Sequence, residues 1–410
     1  MKRKSLVSWL GPIKAGSVQS SIYTLCSCVI GSGVMGLPLA VYRCGFLLGT
    51  SMLVLGGVTC SIYYKVMVKA ADLTNQYNYV GIVDSLYGTA WKQFSQFTLI
   101  LYSLGMLCSY QAMIAQFLNS VLHSLGVFVT PTGEAYRILI ILFMNSCVLF
   151  PLSLFRQLSS LRYASVISVV SCLYISLVIF LQTPAYLMEK PEIWAHFRLF
   201  KFEISIIDAL CITLFAFEAT RAIPIVYSEL KKRNSARMGK VIDTSNQLVL
   251  TLYLFIGIFG YLSHIDNMPS LIVFRPPLVS VSGTDWPMVI ARLWIALTLS
   301  MGVPINIHVT RVNISHYFPS KYKENLCVHV LVTVLVLVCT MVMAILVPDA
   351  LIYFKLIGGV FSVIVGKVIP TMIYYKLEKD RTKFAALLLW TLVLTALGFS
   401  SAFLTLINLL

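Results

Sequence analysis

Residues 28–40 read CVIGSGVMGLPLA, an apolar stretch that is interrupted by glycine, serine and proline. Gly31, Ser32 and Gly33 fall within one helical turn, and Pro38 follows seven residues after Gly31. Glycine and proline disfavour a continuous helix, and a membrane tolerates broken backbone only where it is buried in protein or lines a cavity. This stretch therefore predicts an unwound membrane helix at a transport site. The alternative is a continuous helix whose small residues pack closely against a neighbour.

The composition around this stretch is that of a protein with many membrane spans. Hydrophobic residues make up 58% of the 410 residues, while Asp, Glu, Lys and Arg together make up 11%; soluble domains carry about 25% charged residues. The mean hydropathy is +0.85. A chain this apolar has too little polar surface for several soluble domains, and it is too hydrophobic to be disordered. We therefore predict an all-α polytopic membrane protein in contact with membrane lipids.

Apolar runs of about 20 residues are long enough to cross the bilayer, and their number here predicts eleven transmembrane helices, numbered spans 1 to 11 in chain order. The runs lie near residues 20–42, 46–68, 94–122, 136–155, 163–183, 204–228, 244–263, 287–310, 326–347, 351–375 and 385–408.

The positive charges predict how these spans are oriented. Most of the 31 Lys and Arg residues fall in the N-terminal tail and in the alternate connections on its side. Such residues accumulate in cytoplasmic loops, so we predict a cytoplasmic N-terminus and, with an odd number of spans, an extracytoplasmic C-terminus. The net charge of +15 then reflects orientation, and no nucleic-acid partner is predicted. The choice between the plasma membrane and a vacuole or lysosome stays open.

A second interruption lies in span 6, where Phe215–Arg221 reads FAFEATR and Pro224 follows seven residues after Phe217. If five helices form one repeat, spans 1 and 6 are corresponding members, and each carries a break. We therefore divide the chain into a tail, two five-helix repeats and an extra helix, which together form one transport domain. The boundaries are 1–19 for the cytoplasmic tail, 20–183 and 204–375 for the repeats, and 385–408 for the eleventh helix.

The two breaks predict the chemistry of the cargo. The half-helix beyond a break begins with free N–H groups, which suit a carboxylate, and the half before it ends in free carbonyls, which suit an ammonium group. An α-amino acid carries both groups. Aromatic rings beside the breaks and in span 3 can also contact it, although such rings often serve as core packing, and Tyr102 is an alternative to Tyr110. The predicted substrate-binding residues are Gly31, Ser32, Gly33, Phe215, Phe217 and Tyr110.

Charged residues inside membrane spans are costly and therefore indicate function. Glu218 lies in the break of span 6, where it can load and release a proton, and we predict a coupling role for Glu218 and Arg221. The alternative is a structural pair between these two, because residues three apart share a helix face. Arg221 can also hold a carboxylate of the cargo. Lys367 of span 10 either makes a gating contact or snorkels to the membrane surface.

Three stretches resemble the amino acid/auxin permease family of the APC superfamily. That resemblance implies secondary active transport of amino acids by a symporter. It also implies a LeuT-like fold, which consists of two inverted five-helix repeats and an eleventh helix, with spans 1 and 6 unwound. In such a fold a binding site at the midplane of the membrane is exposed to one side and then to the other. The stretches are GSGVMGLPLAVYRCGFLLG at Gly31–Gly49, FAFEATRAIPIVYSEL at Phe215–Leu230 and FKLIGGVFSVIVGKVIPTMIYYKL at Phe354–Leu377.

Two details are closest to the proton-coupled branch of that family, namely Glu218 and the segment Leu37–Ala40. The sodium-coupled neutral amino-acid branch typically has Asn four residues before the G-x-G run and Thr before a Val-Pro pair, where this chain has Ser27 and Gly302. This difference weakens a sodium site, although Ser27 or Ser300 can partly substitute. We therefore favour H+ over Na+ as the coupling ion. If a cation site is present, its predicted residues are Ser27, Ile30, Ser300 and Gly302.

Other functions remain as alternatives to a proton-coupled transporter. They are facilitation, a sodium-coupled neutral amino-acid transporter, a transporter-like amino-acid sensor, and a membrane-embedded acyltransferase that uses Asn306 and His308. A buried polar pair bonded to a neighbouring helix is another interpretation of Asn306 and His308. The sequence has no zinc-protease or nucleophile motif and no nucleotide-binding loop. We therefore predict a monomeric protein that is not an enzyme, without a catalytic or metal site and without a cofactor.

Overall fold

The computed structural model describes the whole chain except its first 15 residues, its last two residues and a few connections, so most of the predicted 1–19 tail lies outside the described residues. The described part is helical, with short 3-10 and π segments and no strand among those residues. The described ranges are 16–127, 134–154, 162–189, 191–278, 284–315, 325–378 and 380–408.

The helices agree with eleven membrane spans. Ten helices of the described residues are long and apolar enough to cross a membrane, and a bent pair in span 1 makes the number eleven. Seven spans are single helices: Phe46–Thr74 (span 2), Thr89–Ser124 (span 3), Arg162–Glu189 (span 5), Ser235–Ser263 (span 7), Trp286–Ser315 (span 8), Leu326–Leu346 (span 9) and Arg381–Ile407 (span 11). Spans 4 and 10, Glu134–Ser153 and Ala350–Leu377, contain π segments at Met144–Leu149, Ile357–Phe361 and Ile364–Val368.

Some predicted helix ends are wrong by several residues. Span 7 begins at Ser235 rather than near 244, since the side chain of Asn234 caps it by accepting a hydrogen bond from the Ala236 N–H at 2.8 Å. Its first turns are polar, so they extend beyond the apolar run from which the span was predicted. Hydropathy locates the part of a helix that lies in lipid and does not locate its cap.

A short helix, Tyr79–Tyr87, was not predicted and lies between spans 2 and 3. It buries Tyr79, Ile82 and Val83, which have the spacing of one helix face, and the Asn78 side chain caps its start. The Tyr79 hydroxyl donates a hydrogen bond of 2.6 Å to the carbonyl of Val365 in span 10. The Asn78 cap and the spacing of the buried residues are the sequence features from which this helix could have been predicted.

The breaks in spans 1 and 6 are confirmed. In span 1 the helix Val18–Val29 is followed by a 3-10 turn at Ser32–Gly36 and a helix at Leu37–Cys44, and the two halves are bent by 55°. In span 6 the helices are Ser205–Ala216 and Ile223–Glu229.

The prolines lie just after the breaks. Pro38 and Pro224 occupy the first positions of the second half-helices. A proline is tolerated there, because the N–H that it lacks would have had no partner within the helix.

Spans 10 and 11 touch through their backbones. A Cβ added at Gly398 would overlap the carbonyl oxygen of Gly359, and one added at Gly359 would overlap that of Gly398. A Cβ at the neighbouring Gly358 would overlap the Cys211 carbonyl of span 6. Span 10 is therefore held against spans 6 and 11 with no side chain between the backbones.

We expect Gly398→Ala to destabilise the protein by about 1–3 kcal/mol, because the added methyl group overpacks the contact with Gly359. The matched control is Gly239→Ala in span 7, where no described atom other than those of the adjoining helix backbone lies within 4 Å of the added Cβ; it should be neutral or stabilising by up to about 1 kcal/mol. Thermal unfolding of the purified protein in detergent measures both. Equal shifts for the two variants would contradict the close contact.

Candidate functional site

One tyrosine hydroxyl joins the two breaks. The hydroxyl of Tyr253 in span 7 lies 3.0 Å from the carbonyl oxygen of Val29 and 3.1 Å from that of Ala216. Val29 ends the first half of span 1, and Ala216 ends the first half of span 6. The tyrosine is fully buried, so its single proton serves two backbone acceptors that the breaks leave without helical partners. Nothing in the sequence distinguished Tyr253 from other aromatic residues in the spans.

The predicted glycines lie where span 1 meets spans 3 and 6. A Cβ at Gly33 would come within 2.8 Å of the Ala216 backbone and of the Phe215 ring. The Phe215 ring stacks on Phe354 of span 10, with 4.8 Å between centroids. Gly33 therefore packs closely as well as lying in the break, so both interpretations of the glycine run hold.

Span 3 reaches the same break through two neighbouring side chains. The Tyr110 hydroxyl would lie 2.8 Å from a Cβ at Gly31, and its ring would lie 2.8 Å from one at Gly302. The hydroxyls of Ser32 and Ser109 are 3.2 Å apart. The structure thus brings Tyr110 together with the glycine run.

Phe217 faces a different part of the protein. Its ring packs edge-on against Tyr253, with centroids 4.9 Å apart, and against Gly56 of span 2. The Tyr64 hydroxyl donates a hydrogen bond of 2.5 Å to the Phe217 carbonyl. The Phe217 side chain is therefore packed in the protein core, as the alternative interpretation of this residue expected. Only the Phe217 carbonyl belongs to the break.

Glu218 forms an ion pair with Lys367. Its Oε2 lies 3.2 Å from the Lys367 Nζ, and neither side chain is exposed. Its other oxygen accepts a hydrogen bond of 2.8 Å from the Thr220 N–H, the first N–H of the 3-10 turn that opens the second half of span 6. The Lys367 ammonium group further donates to the Cys60 sulfur at 3.3 Å. Gly366 leaves room for the carboxylate, since a Cβ there would overlap it.

The predicted structural pair between Glu218 and Arg221 is therefore wrong. Glu218 lies in the non-helical part of the break, where a separation of three residues does not place side chains on one face. The snorkelling interpretation of Lys367 is wrong too, because the side chain is fully buried beside a carboxylate.

Arg221 contacts neutral groups of spans 3 and 8. Its Nη2 donates a hydrogen bond of 2.7 Å to the Asn306 Oδ1, and its Nη1 lies 3.4 Å from the Ser103 hydroxyl. The guanidinium carbon lies 4.9 Å from the centroid of the Tyr102 ring. Asn306 is thus bonded to Arg221, while His308 lies 3.2 Å from Arg311.

The residues of the predicted cation site have protein partners. Ser27 donates a hydrogen bond of 3.2 Å to Ser168 of span 5, and Ser300 donates one of 2.7 Å to the Ala296 carbonyl of its own helix. The Ile30 N–H bonds to the Cys26 carbonyl at 2.7 Å, and the Tyr110 ring fills the space at Gly302. Among the described residues, no group of three His, Cys, Asp or Glu side chains is arranged to hold a metal ion.

A second charged cluster joins spans 1, 6, 10 and 11. Asp208 Oδ2 lies 2.7 Å from both the Arg43 Nη1 and the Lys355 Nζ, and its Oδ1 accepts a hydrogen bond from Ser401 at 2.8 Å. The three charged residues of this cluster, Arg43, Asp208 and Lys355, each lie near one end of their membrane span. Sequence patterns gave no pairing for them.

The chain belongs to the family described as transmembrane amino acid transporter protein, whose model matches residues 14–410. The sodium-coupled neutral amino acid symporter 2 of Danio rerio is 23% identical over 396 residues, which cover 90% of this chain and 77% of the relative. The predicted family is confirmed, and the chain is a multi-pass membrane protein of a transporter family.

Solved structures of transporters share the fold. A structure of MhsT in complex with L-phenylalanine has a TM-score of 0.60 at 11% identity and covers 96% of this chain and 100% of that one. A Na+-coupled sialic acid symporter has a TM-score of 0.58 at 11% identity and covers 98% of this chain and 91% of that one. The predicted LeuT-like fold is confirmed, while the division into repeats at 20–183 and 204–375 stays a prediction.

We expect Glu218→Gln and Lys367→Met each to destabilise the protein by about 3–5 kcal/mol, because each leaves a buried charge without its partner. The double variant should recover most of this loss, since it removes both charges. Thermal unfolding in detergent measures the three proteins.

The control for this pair is Lys65→Met, since Lys65 and Asp243 lie 2.7 Å apart with side chains 52% and 49% exposed. An exposed pair contributes at most about 1 kcal/mol. A double variant as unstable as the sum of the singles would contradict a direct interaction between Glu218 and Lys367.

Proposed function

From this family membership we propose that the protein is a secondary active transporter that moves amino acids across the membrane by alternating access, coupled to protons. The observation that carries the proposal is the meeting of two broken helices at Tyr253, with Tyr110 of span 3 as a third wall. We further propose that it acts as a monomer. The Lys and Arg distribution supports a cytoplasmic N-terminus and an extracytoplasmic C-terminus.

The cargo carboxylate binds at the glycine run of span 1. The second half of span 6 already has a carboxylate at its start, because Glu218 accepts the Thr220 N–H. The start of the 3-10 turn at Ser32–Gly36 has no side-chain cap. Its N–H groups are therefore suited to the carboxylate of an amino acid, and the carbonyls at Val29 and Ala216 are suited to the ammonium group.

Glu218 is the proton-binding group in this proposal. Protonation removes its charge and weakens the ion pair with Lys367, so it changes the link between the break of span 6 and span 10.

Sodium coupling is the second candidate. It is favoured by the relative from Danio rerio, which is named a sodium-coupled symporter. The residues for such a site are Ser27 and Ser300, which have side-chain oxygens, and Ile30 and Gly302, which can offer only backbone carbonyls. The acyltransferase alternative loses its basis, because Asn306 and His308 bond to two different arginines.

We expect purified protein in proteoliposomes to exchange labelled amino acids and to accumulate them when an inward proton gradient is imposed. Glu218→Gln/Lys367→Met should abolish proton-driven accumulation and keep exchange, because the titrating group is lost while the buried charges stay balanced. Asp243→Asn, which removes an exposed carboxylate, is the matched control and should behave like the wild type.

The same assay separates the candidates. Accumulation driven by sodium alone, with no response to a proton gradient, would favour the second candidate. Absence of exchange for every amino acid in the panel would overturn the proposed transport function.

A further inference from the structure

The charges around the break of span 6 do not balance. Glu218 and Lys367 neutralise each other at 3.2 Å. Arg221 follows Glu218 by three residues, is half-buried, and in the part of the chain that the structure describes it forms no ion pair with a carboxylate. One positive charge near the break is therefore left without a carboxylate partner.

The hydrogen-bonding capacity of Arg221 is also incompletely used. A guanidinium group has five N–H donors, and the described contacts occupy only those to Asn306 and Ser103. Among the described residues, two buried hydroxyls near Arg221, those of Thr220 and Tyr102, have no hydrogen-bond partner. An arginine with free donors is the group that best binds a carboxylate, with two parallel hydrogen bonds.

A continuous set of contacts connects Arg221 to the cargo site. Asn306, which holds Arg221, donates a hydrogen bond of 3.0 Å to the Gly302 carbonyl one turn earlier in span 8. The Tyr110 ring covers Gly302, and its hydroxyl reaches Gly31. The guanidinium group is thus linked to the glycine run through Asn306, Gly302 and the Tyr110 ring.

We propose that Arg221 binds the side-chain carboxylate of the cargo, so that this transporter prefers acidic amino acids, aspartate and glutamate. The inference rests on the proposed function, because it assumes that the α-carboxylate binds at Gly31–Gly33. A neutral cargo leaves the charge of Arg221 unpaired, and a cationic cargo is repelled by it. An anionic cargo neutralises the charge of Arg221, which no carboxylate of the described residues pairs with.

The test is counterflow in proteoliposomes with labelled glutamate, aspartate, alanine, leucine and lysine. The wild type should take up the acidic amino acids at least about tenfold better than the neutral ones, with no uptake of lysine. Arg221→Gln should lower acidic uptake by about tenfold or more and keep or raise neutral uptake. Arg221→Lys, which keeps the charge without the planar fork, should give intermediate uptake of acidic cargo.

The matched control is Arg137→Gln in span 4. Arg137 also bonds only to neutral groups in the described structure, the carbonyls of Ala344 and Ile345 at 3.1 Å. The Arg137→Gln variant should keep the wild-type preference for acidic over neutral amino acids. Size-exclusion chromatography establishes folding of each variant, and thermal stabilisation of the wild type by glutamate, reduced in Arg221→Lys, gives a second readout that needs no transport.

Two outcomes distinguish this inference from the proposed function. Wild-type uptake of neutral amino acids without acidic ones would overturn the role of Arg221 and leave amino-acid transport intact. Absence of uptake and of thermal stabilisation for every amino acid would overturn the transport proposal itself.

Discussion

A membrane offers no water to the polar groups of a broken helix, and this constraint governs the centre of the protein. The two breaks leave the backbone carbonyls of Val29, Ala216 and Phe217 without helical partners. Tyrosine hydroxyls from spans 2 and 7 donate hydrogen bonds to these carbonyls. At the other side of the span 6 break, the Glu218 carboxylate takes up a freed N–H. The unwound segments are therefore held by side chains from their neighbours, which leaves the glycine run of span 1 as the part without such a cap.

The features that could be predicted from the sequence are those that depend on residues close together in the chain. The number of spans follows from apolar runs, and the breaks follow from Gly31, Gly33 and the prolines that come seven residues later. The partners of Tyr253 and Lys367 could not be predicted in this way. Tyr253 lies in the apolar part of span 7 and Lys367 in the mostly apolar span 10, so no pattern of polar residues around them indicates which side faces the protein. The alternative that paired Glu218 with Arg221 is wrong because helical spacing does not apply across a break.

The ion pair of Glu218 and Lys367 gives the site its electrostatic character. Alone, either charge would be unfavourable in this interior; together they form a neutral unit that links span 6 to span 10. The neighbouring Arg221 then determines the net charge that a ligand meets. Substrate preference and ion coupling in our proposals thus depend on three charged residues from two spans, arranged around one break.

The backbone contact between Gly359 and Gly398 has a mechanical consequence. Side chains at a helix interface can change rotamer and let two helices slide apart by small steps, whereas two backbones in contact have no such freedom. The junction can pivot about its closest point, as two crossed rods do. A displacement of span 10 would therefore act directly on span 11, so the last helix is coupled to span 10 and is not only a lipid-facing cover.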